Sequence, residues 1–162
     1  MNNYVYFYRE REKNGFLSNW YKAGMFIDGM KFSCVEQYMM YRKAVLFGDY
    51  EVAGHIMAST NQGDMKKWGR KVRDFDEQIW CKYRYDIVKR GVIAKFMCNE
   101  DLMQEFLKFP YGSIFVECSP WDTIWGIGLG IGDSRIYDEN QWQGMNLLGK
   151  VLTEIRVEVE GW

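Results

Sequence analysis

Apolar residues recur at every third or fourth position along most of the chain, the spacing of α-helices with one buried face. The pattern predicts helices over residues 34–46, 50–58, 61–69, 76–96, 99–109 and 147–158. The segment 76–96 is the clearest amphipathic helix, and Gly91 weakens its far end. Its predicted inner stripe consists of Ile79, Tyr83, Ile87 and Val88. We expect Asn99 and Asn146 to act as N-caps and Pro110 to end the fifth helix.

Shorter β-prone stretches predict the strands. They are residues 4–8 ("YVYFY"), the two apolar runs of "GMFIDGMKF" and residues 113–118 ("SIFVEC"). Asp28-Gly29 is a favourable hairpin turn between the two runs. No linker, repeat or low-complexity tract divides the chain. The predicted fold is a single compact α+β domain over residues 1–162, mostly helical with a small β-sheet.

The first helix, in "GMKFSCVEQYMMYRKA", is apolar nearly all round, which is typical of a buried helix. It nevertheless carries Glu36 and Lys43. Ser33 and Glu36 fit a capping box, which explains Glu36 structurally. Lys43 lies ~10 Å further along the same face, too far for an ion pair. Lys43 either reaches solvent at the helix end or, with Glu36, flanks a ligand as an imine-forming amine beside an acid or base.

Composition limits the class of protein. Apolar residues make up 48% of the 162 residues and aromatic residues 17%, which is enough for a substantial core. The formal charge is −1, with acidic and basic residues interspersed, which argues against binding to long nucleic acid. A nucleotide-sized ligand stays open, because one or two arginines are enough to bind a phosphate.

Cysteine and histidine usage narrows the chemistry. The four cysteines show no C-x-x-C pair and are predicted to be free thiols in a reducing compartment. His55 is the only histidine, which excludes a metal site with several histidines. A Cys–His hydrolase that uses His55 is therefore a distant alternative. No apolar run reaches the ~20 residues of a membrane span, and no signal peptide is recognisable. We expect a cytoplasmic protein with no membrane partner.

The segment "VECSPWDTIWGIG" brings Glu117, Asp122 and Trp125 within nine residues. A carboxylate just past the end of a strand is often presented to a cleft, but Asp122 can equally cap the following turn. The glycines at every second position from 126 to 132 would bare one face of an extended segment and lack the spacing of a dinucleotide-binding motif.

Trp80 and Arg84 lie one turn apart on the long predicted helix. Together they could stack a base and hold an anion. Taken alone, a tryptophan at this position would more often lie in the core and an arginine on the surface.

Several motifs in order resemble one family. They are "GFLSNWY", "VEQYMMYRKA", "GRKV", Trp80-x-x-x-Arg84, "AKF", "FVECSPWDTIWGIG" and "GMNLLGKVLTEIR". The chain resembles the NADAR family of YbiA-like N-glycosidases over nearly its whole length. It departs from the family at "FPYGS", where Thr-Gly is usual, and in the insert "LGIGDSRIYDENQWQ". Both departures concern segments that could line a substrate pocket.

The resemblance implies a YbiA-like fold and hydrolysis of a ribose C1′–N bond without a metal or other cofactor. Its known substrates are phosphoribosylated pyrimidine intermediates of riboflavin synthesis and ADP-ribosylated guanine. The implied partner is a small nucleotide-like molecule or ADP-ribosylated guanine in nucleic acid. The rival classes are a non-catalytic module that binds ADP-ribose or a nucleotide, and a structural protein rich in core aromatics.

The resemblance also implies roles for individual residues. Glu36 and Lys43 would act at the sugar carbon, and Asp122 would orient water or a ribose hydroxyl. The predicted substrate-binding residues are Asn19, Trp80, Arg84, Glu117, Trp125 and Asn146. Among them, Trp80 and Trp125 would stack the base and Arg84 would contact a phosphate.

Overall fold

A computed structural model describes residues 1–162 and contains six α-helices and four β-strands. The strands are β1 (Tyr4–Phe7), β2 (Met25–Ile27), β3 (Met30–Phe32) and β4 (Ile114–Glu117). The helices are α1 (Val35–Leu46), α2 (Tyr50–Ala58), α3 (Gln62–Gly69), α4 (Glu77–Cys98), α5 (Glu100–Leu107) and α6 (Leu147–Glu158). The predicted α+β class is confirmed. The chain divides into two compact units, residues 22–99 and residues 1–21 with 100–162, so one domain over 1–162 stays a prediction.

In the unit of residues 22–99, α1 packs against α2, α3 and α4. Val35, Tyr38 and Ala44 on α1 are completely buried or nearly so. Helix α4 crosses α1 at Gly91, where an added Cβ would lie 2.9 Å from the Tyr38 ring. Gly91 therefore does not end or weaken the helix, which continues to Cys98; it permits close packing between two helices.

The predicted inner stripe of α4 is partly wrong. Ile79 and Tyr83 are exposed, whereas Trp80 and Arg84 are buried on the face that continues through Ile87 and Val88. Apolar residues lie on more than one face of this helix, so their spacing in the sequence also fits the neighbouring stripe. The burial of Arg84 also excludes the surface position that an arginine usually takes.

The predicted capping box at the start of α1 is wrong. Cys34, not Ser33, is the N-cap residue, and its side chain makes no capping hydrogen bond. The side chain that reaches back is Gln37, whose Oε1 accepts hydrogen bonds from the Ser33 amide at 2.8 Å and the Ser33 hydroxyl at 3.1 Å. Gln37 also donates to the carbonyl of Ile56 on α2. The capping-box bond predicted for Glu36 is therefore made by Gln37.

Asn99 does not cap α5 as predicted. Its side-chain amide donates to the carbonyls of Lys95 and Gly24, so it closes the C-terminal end of α4 and ties that end to the segment before β2. The β2–β3 hairpin turn is confirmed, with positive φ angles of 52° at Asp28 and 77° at Gly29.

In the unit of residues 1–21 and 100–162, β1 and β4 form a parallel pair, and α6 packs against β4. The second edge of β4 is closed by side chains of α6. The Phe115 amide donates to Thr153 Oγ1, while the Asn146 side chain donates to the Phe115 carbonyl and accepts from the Glu117 amide. Asn146 thus occupies the N-cap position of α6 but hydrogen-bonds the strand instead of the helix. No edge of β4 is left open.

The glycine-rich segment 126–132 is a loop in this unit and not a strand. All four cysteines are free thiols. None of the six helices combines the length and the apolar character that crossing a membrane requires. A cytoplasmic location stays a prediction.

Candidate active site

Helix α1 carries two ionisable side chains, one near each end, that are candidates for chemistry. Glu36 lies in the first turn and is buried, with 4% of its surface exposed. Lys43 lies in the last turn and is half-buried. Glu36 is a buried carboxylate on a helix whose other buried side chains, apart from Gln37, are hydrophobic. Burial of a charged group is costly unless it is compensated, so this position is a candidate for function.

The Lys43 amine lies close to two aromatic rings. Nζ is 4.4 Å from the ring centroid of Phe75 and 6.0 Å from that of Trp80. Burial lowers the pKa of Lys43 below its ordinary value, and the positive charge of Arg70 acts in the same direction. The carboxylates of Glu77 and Glu36 oppose this shift by favouring the ammonium. The balance favours a neutral amine more than in a solvent-exposed lysine, as imine chemistry requires.

Helix α4 places Trp80 and Glu77 near Lys43. Trp80 and Arg84 are each 7% exposed. Arg84 Nη1 lies 3.8 Å from Glu77 Oε1, and Glu77 is itself largely exposed. Asp76 caps the start of α4 by accepting hydrogen bonds from two backbone amides of the first turn. This capping stabilises the first turn of α4, which carries Glu77 and Trp80.

Sequence reasoning missed Phe75, Glu77 and Arg70. One signal was available for Glu77, because residues 77, 80 and 84 repeat at helical spacing and so share one face of α4. Phe75 belongs to the segment between α3 and α4, where no periodicity predicts a contact. Arg70 lies in the matched motif "GRKV" but carried no predicted role.

In the other unit, the structure places Asp122 in a tight turn. Its Oδ1 accepts hydrogen bonds from the amides of Ile124 at 2.9 Å and Trp125 at 2.8 Å, and its own amide donates to Ser119 Oγ. Asp122 therefore does cap the turn, as one of the two sequence interpretations expected. Its second oxygen, Oδ2, makes no hydrogen bond within the chain and remains able to contact a ligand.

Trp125 and Glu117 lie near the same turn. The Trp125 side chain is half-buried, and its backbone carbonyl accepts a hydrogen bond from the amide of Leu148 at the start of α6. Glu117 is the last residue of β4 and is half-buried. Burial, and after it the charge of Glu117, raises the pKa of the neighbouring Cys118 thiol. Trp121, in contrast, is 86% exposed.

Asn19 is buried just after a short 3₁₀ turn, Gly15–Leu17. Its side-chain oxygen, Oδ1, is buried and has no hydrogen-bond partner. Buried acceptors are nearly always satisfied in folded proteins. Asn19 is therefore a polar group for which a ligand donor would complete the hydrogen bonding.

The predicted residues fall into two groups. Residues 22–99 contain Glu36, Lys43, Trp80 and Arg84, of which the structure brings Lys43 close to Trp80. The other unit contains Asn19, Glu117, Asp122, Trp125 and Asn146, of which Asp122 bonds Trp125 and Asn146 bonds Glu117. No group of three His, Cys, Asp or Glu residues is placed to hold a metal ion. The catalytic and binding roles stay predictions.

Comparison with known proteins supplies independent information. A family model described as "NADAR domain" matches residues 6–160. An N-glycosidase of Acanthamoeba polyphaga mimivirus is 41% identical over 163 residues, which cover 96% of this chain and 95% of that protein. The protein irg-1 of Caenorhabditis elegans is 43% identical over 132 residues and 80% of this chain. The match spans only 62% of the length of irg-1.

Two further similarities are more distant. A riboflavin biosynthesis protein of Vibrio vulnificus is 25% identical over 156 residues, which cover 96% of this chain but 38% of that protein. Among solved structures, the E. coli protein YbiA, determined by NMR, superimposes with a TM-score of 0.79 at 22% identity. That superposition covers 99% of this chain and 87% of YbiA and confirms the predicted YbiA-like fold.

Proposed function

Because the chain belongs to the NADAR domain family, we propose that it hydrolyses the bond between ribose C1′ and a base nitrogen in a nucleotide-like substrate. The enzyme class, a hydrolase of N-glycosyl bonds, follows from the viral relative that carries the name N-glycosidase and matches nearly end to end. The substrate and the residues that act on it are our proposal.

The observation that carries the proposal is the environment of Lys43. Its amine is half-buried against Phe75 and Trp80, its pKa is lowered, and the buried carboxylate of Glu36 lies on the same helix. A structural lysine at a helix end would reach solvent. A desolvated lysine beside an aromatic face is suited to attack an electrophilic sugar carbon while the base stacks on the ring.

The proposed reaction has two steps. In the first, the neutral amine of Lys43 forms a bond to C1′ as the C1′–N bond breaks, and the leaving base takes the electron pair and a proton. The new nitrogen lone pair then breaks the C1′–O4′ bond of the sugar ring, O4′ takes the proton that the nitrogen loses, and an open-chain imine results. In the second, water adds to the imine carbon and the C1′–Nζ bond breaks, which releases the sugar and the free amine. Glu36 stabilises the positive charge that develops at C1′ and exchanges the protons. No oxidant or reductant is consumed.

The other predicted residues support this reaction in the proposal. Trp80 stacks the base, and Arg84, which Glu77 orients, contacts a phosphate. Asp122 uses Oδ2 to orient water or a ribose hydroxyl, and Trp125 offers a second stacking surface. The predicted direct contacts of Asn19, Glu117 and Asn146 are part of the same proposal. For Asn146 the contact would be additional to its hydrogen bonds with β4.

Two substrates fit this chemistry. A phosphoribosylated pyrimidine intermediate is favoured by the name of the Vibrio relative, a riboflavin biosynthesis protein. ADP-ribosylated guanine presents the same C1′–N bond with a larger phosphate group. The test is to incubate the purified protein with each compound separately and to identify the products by mass spectrometry. Release of free base from one of them identifies the substrate class.

The alternative is a non-catalytic module that binds ADP-ribose or a related nucleotide. That alternative predicts that the nucleotide raises the melting temperature while no base is released, since a ligand at 100 times its dissociation constant adds ~2.7 kcal/mol to stability. Base release by the wild-type protein would exclude it.

A further inference from the structure

Helix α3 and the residues after it carry the densest positive charge in the chain. Lys66, Lys67, Arg70, Lys71 and Arg73 all lie within the stretch "KKWGRKVR". This concentration is hidden in the formal charge of the whole protein, which is only −1. The net charge of the whole chain argues against a basic binding surface, but the basic residues are clustered in this one stretch.

Four of the five basic side chains have no acidic partner. Arg73 is held by Asp49 at 2.8 Å and Glu51 at 3.3 Å and so belongs to the structural ion pairs. The remaining four, Lys66, Lys67, Arg70 and Lys71, form no ion pair, and the last three of them are exposed. We call these four residues the basic patch. Since no carboxylate of the protein forms an ion pair with them, these side chains are available to an anionic partner.

An aromatic pair lies within the basic patch. The Trp68 ring, between Lys67 and Arg70 in sequence, stacks on the His55 ring with centroids 4.0 Å apart and an interplanar angle of 5°. The Lys71 ammonium lies 4.7 Å from the centre of the Trp68 ring. Flat rings among exposed lysines are the combination by which proteins bind single-stranded nucleic acid, with bases on the rings and phosphates on the lysines.

The basic patch adjoins the candidate catalytic lysine. Gly69, at the end of α3, packs so closely on α1 that an added Cβ would lie 2.0 Å from the Met40 sulfur. Met40 precedes Lys43 by less than one helical turn. Arg70, the next residue after Gly69, is near enough to Lys43 to influence its ionisation. A chain of phosphates bound along the patch would therefore lead toward Lys43.

From these observations we infer that the basic patch, with the Trp68–His55 stack, is a binding surface for the backbone of single-stranded nucleic acid whose glycoside is presented to Lys43. A single strand fits better than a duplex, since a C1′–N bond within a duplex is stacked and less accessible. The presentation to Lys43 rests on the proposed function, whereas the binding surface does not.

The test compares three forms of the full chain by fluorescence anisotropy with a labelled single-stranded oligonucleotide of about 12 nucleotides. They are the wild type, a patch variant and a control variant. The patch variant is Lys66→Gln/Lys67→Gln/Lys71→Gln, which leaves Arg70 and Lys43 intact. The control variant is Lys13→Gln/Lys31→Gln/Lys150→Gln, which removes the same charge from exposed positions elsewhere. Binding is measured at about 50 mM and about 200 mM salt.

We expect the patch variant to bind at least about tenfold more weakly at low salt and to lose about 2 units of the salt slope, since each phosphate contact contributes about 0.7. The control variant should bind like the wild type. Equal affinity of the patch and control variants would overturn the inference, as would a wild type that does not bind the oligonucleotide at low salt.

A parallel assay separates this inference from the proposed function. Turnover of a free mononucleotide glycoside should be the same in the wild type and the patch variant. If no free glycoside is cleaved by any form but the oligonucleotide still binds through the patch, the proposed function fails and the surface stands. If turnover is normal but oligonucleotide binding does not depend on the patch, the inferred binding surface fails and the proposed function stands.

Discussion

Asp122 shows how one side chain can satisfy both a structural and a chemical interpretation. One carboxylate oxygen accepts two amide hydrogen bonds of the turn, and the other makes none within the chain. An amide at this position would retain the hydrogen bonds of the turn, because its oxygen can accept them, but would lose the charge to which we assign the orientation of water. The two roles can therefore be separated by substitution.

We predict that Asp122→Asn loses most of its turnover while its free energy of unfolding changes by less than about 0.5 kcal/mol. Asp122→Ala should lose turnover as well and also about 1–2 kcal/mol of stability, because two amides lose their acceptor. The measurements are steady-state rates and chemical denaturation of both variants. Full activity in Asp122→Asn would restrict the residue to turn capping.

The same separation does not apply to Glu36. Gln37 is the side chain that reaches back to Ser33, so the predicted capping box does not account for the burial of Glu36. The sequence allowed both explanations because Glu and Gln are the two residues that close a capping box and they are adjacent here. Only the three-dimensional start of the helix distinguishes them.

At the scale of elements, periodicity located every helix to within a few residues but not the faces of α4 or the partners of the caps. The buried face of α4 is set by its crossing with α1 at Gly91, a contact between distant parts of the chain. Asn99 bonds the carbonyl of Gly24, before β2, and Asn146 bonds backbone groups of β4, again through contacts between distant parts of the chain. The neighbouring sequence does not predict these partners, whereas the spacing of its apolar residues does predict the helices.

The crossing of α1 and α4 leads to a prediction for Gly91→Ala. Alanine normally stabilises a helix relative to glycine by about 0.5–1 kcal/mol. Here the new methyl group would meet the buried Tyr38 ring at 2.9 Å and Val35 at 3.2 Å, and we expect a net loss of about 1–3 kcal/mol.

The matched control is Gly54→Ala on α2, where nothing lies within 4 Å of the added methyl group. This variant should be more stable than the wild type by about 0.5–1 kcal/mol. The measurement is urea denaturation of both variants. Equal effects of the two substitutions would show that α1 and α4 do not pack as closely as described.

For the candidate site, motifs shared with a family predict Glu36, Lys43, Trp80 and Arg84, and their roles stay predictions. It did not identify Phe75, whose contact with Lys43 depends on the path of the segment between α3 and α4. The basic patch shows the opposite limitation. Its residues lie within six positions of the sequence, but the small net charge of the whole chain gives no indication of them. The fold shows that they form no ion pairs and are therefore available to a ligand.

At the scale of the whole molecule, the buried Lys95 links stability to pH. It is 1% exposed, and burial lowers its pKa to about 7. In the unfolded chain the amine has its ordinary pKa of about 10.4. The unfolded state therefore binds more protons between these two values, so stability rises with pH across this window and is independent of Lys95 below it.

We predict that the free energy of unfolding of the wild type increases between about pH 7 and 8.5 with a Lys95 contribution of up to about 1.4 kcal/mol per pH unit. Above this range the Cys34 and Cys118 thiols, whose pKa values are raised by burial, contribute with the opposite sign. Lys95→Met should remove the Lys95 contribution, so that its denaturation midpoints vary less with pH. An unchanged pH dependence in Lys95→Met would contradict the burial of a lysine with a lowered pKa.

The measurement that tests the central claim most directly is the release of free base by the wild type, Lys43→Met and Lys43→Arg, after their folds have been compared by circular dichroism. Methionine keeps the length of the side chain without the amine, and arginine keeps the charge without a nucleophile. The account predicts that the wild type releases base and that both variants are folded but lose at least about 10²-fold in rate. Wild-type rates in Lys43→Met would contradict it.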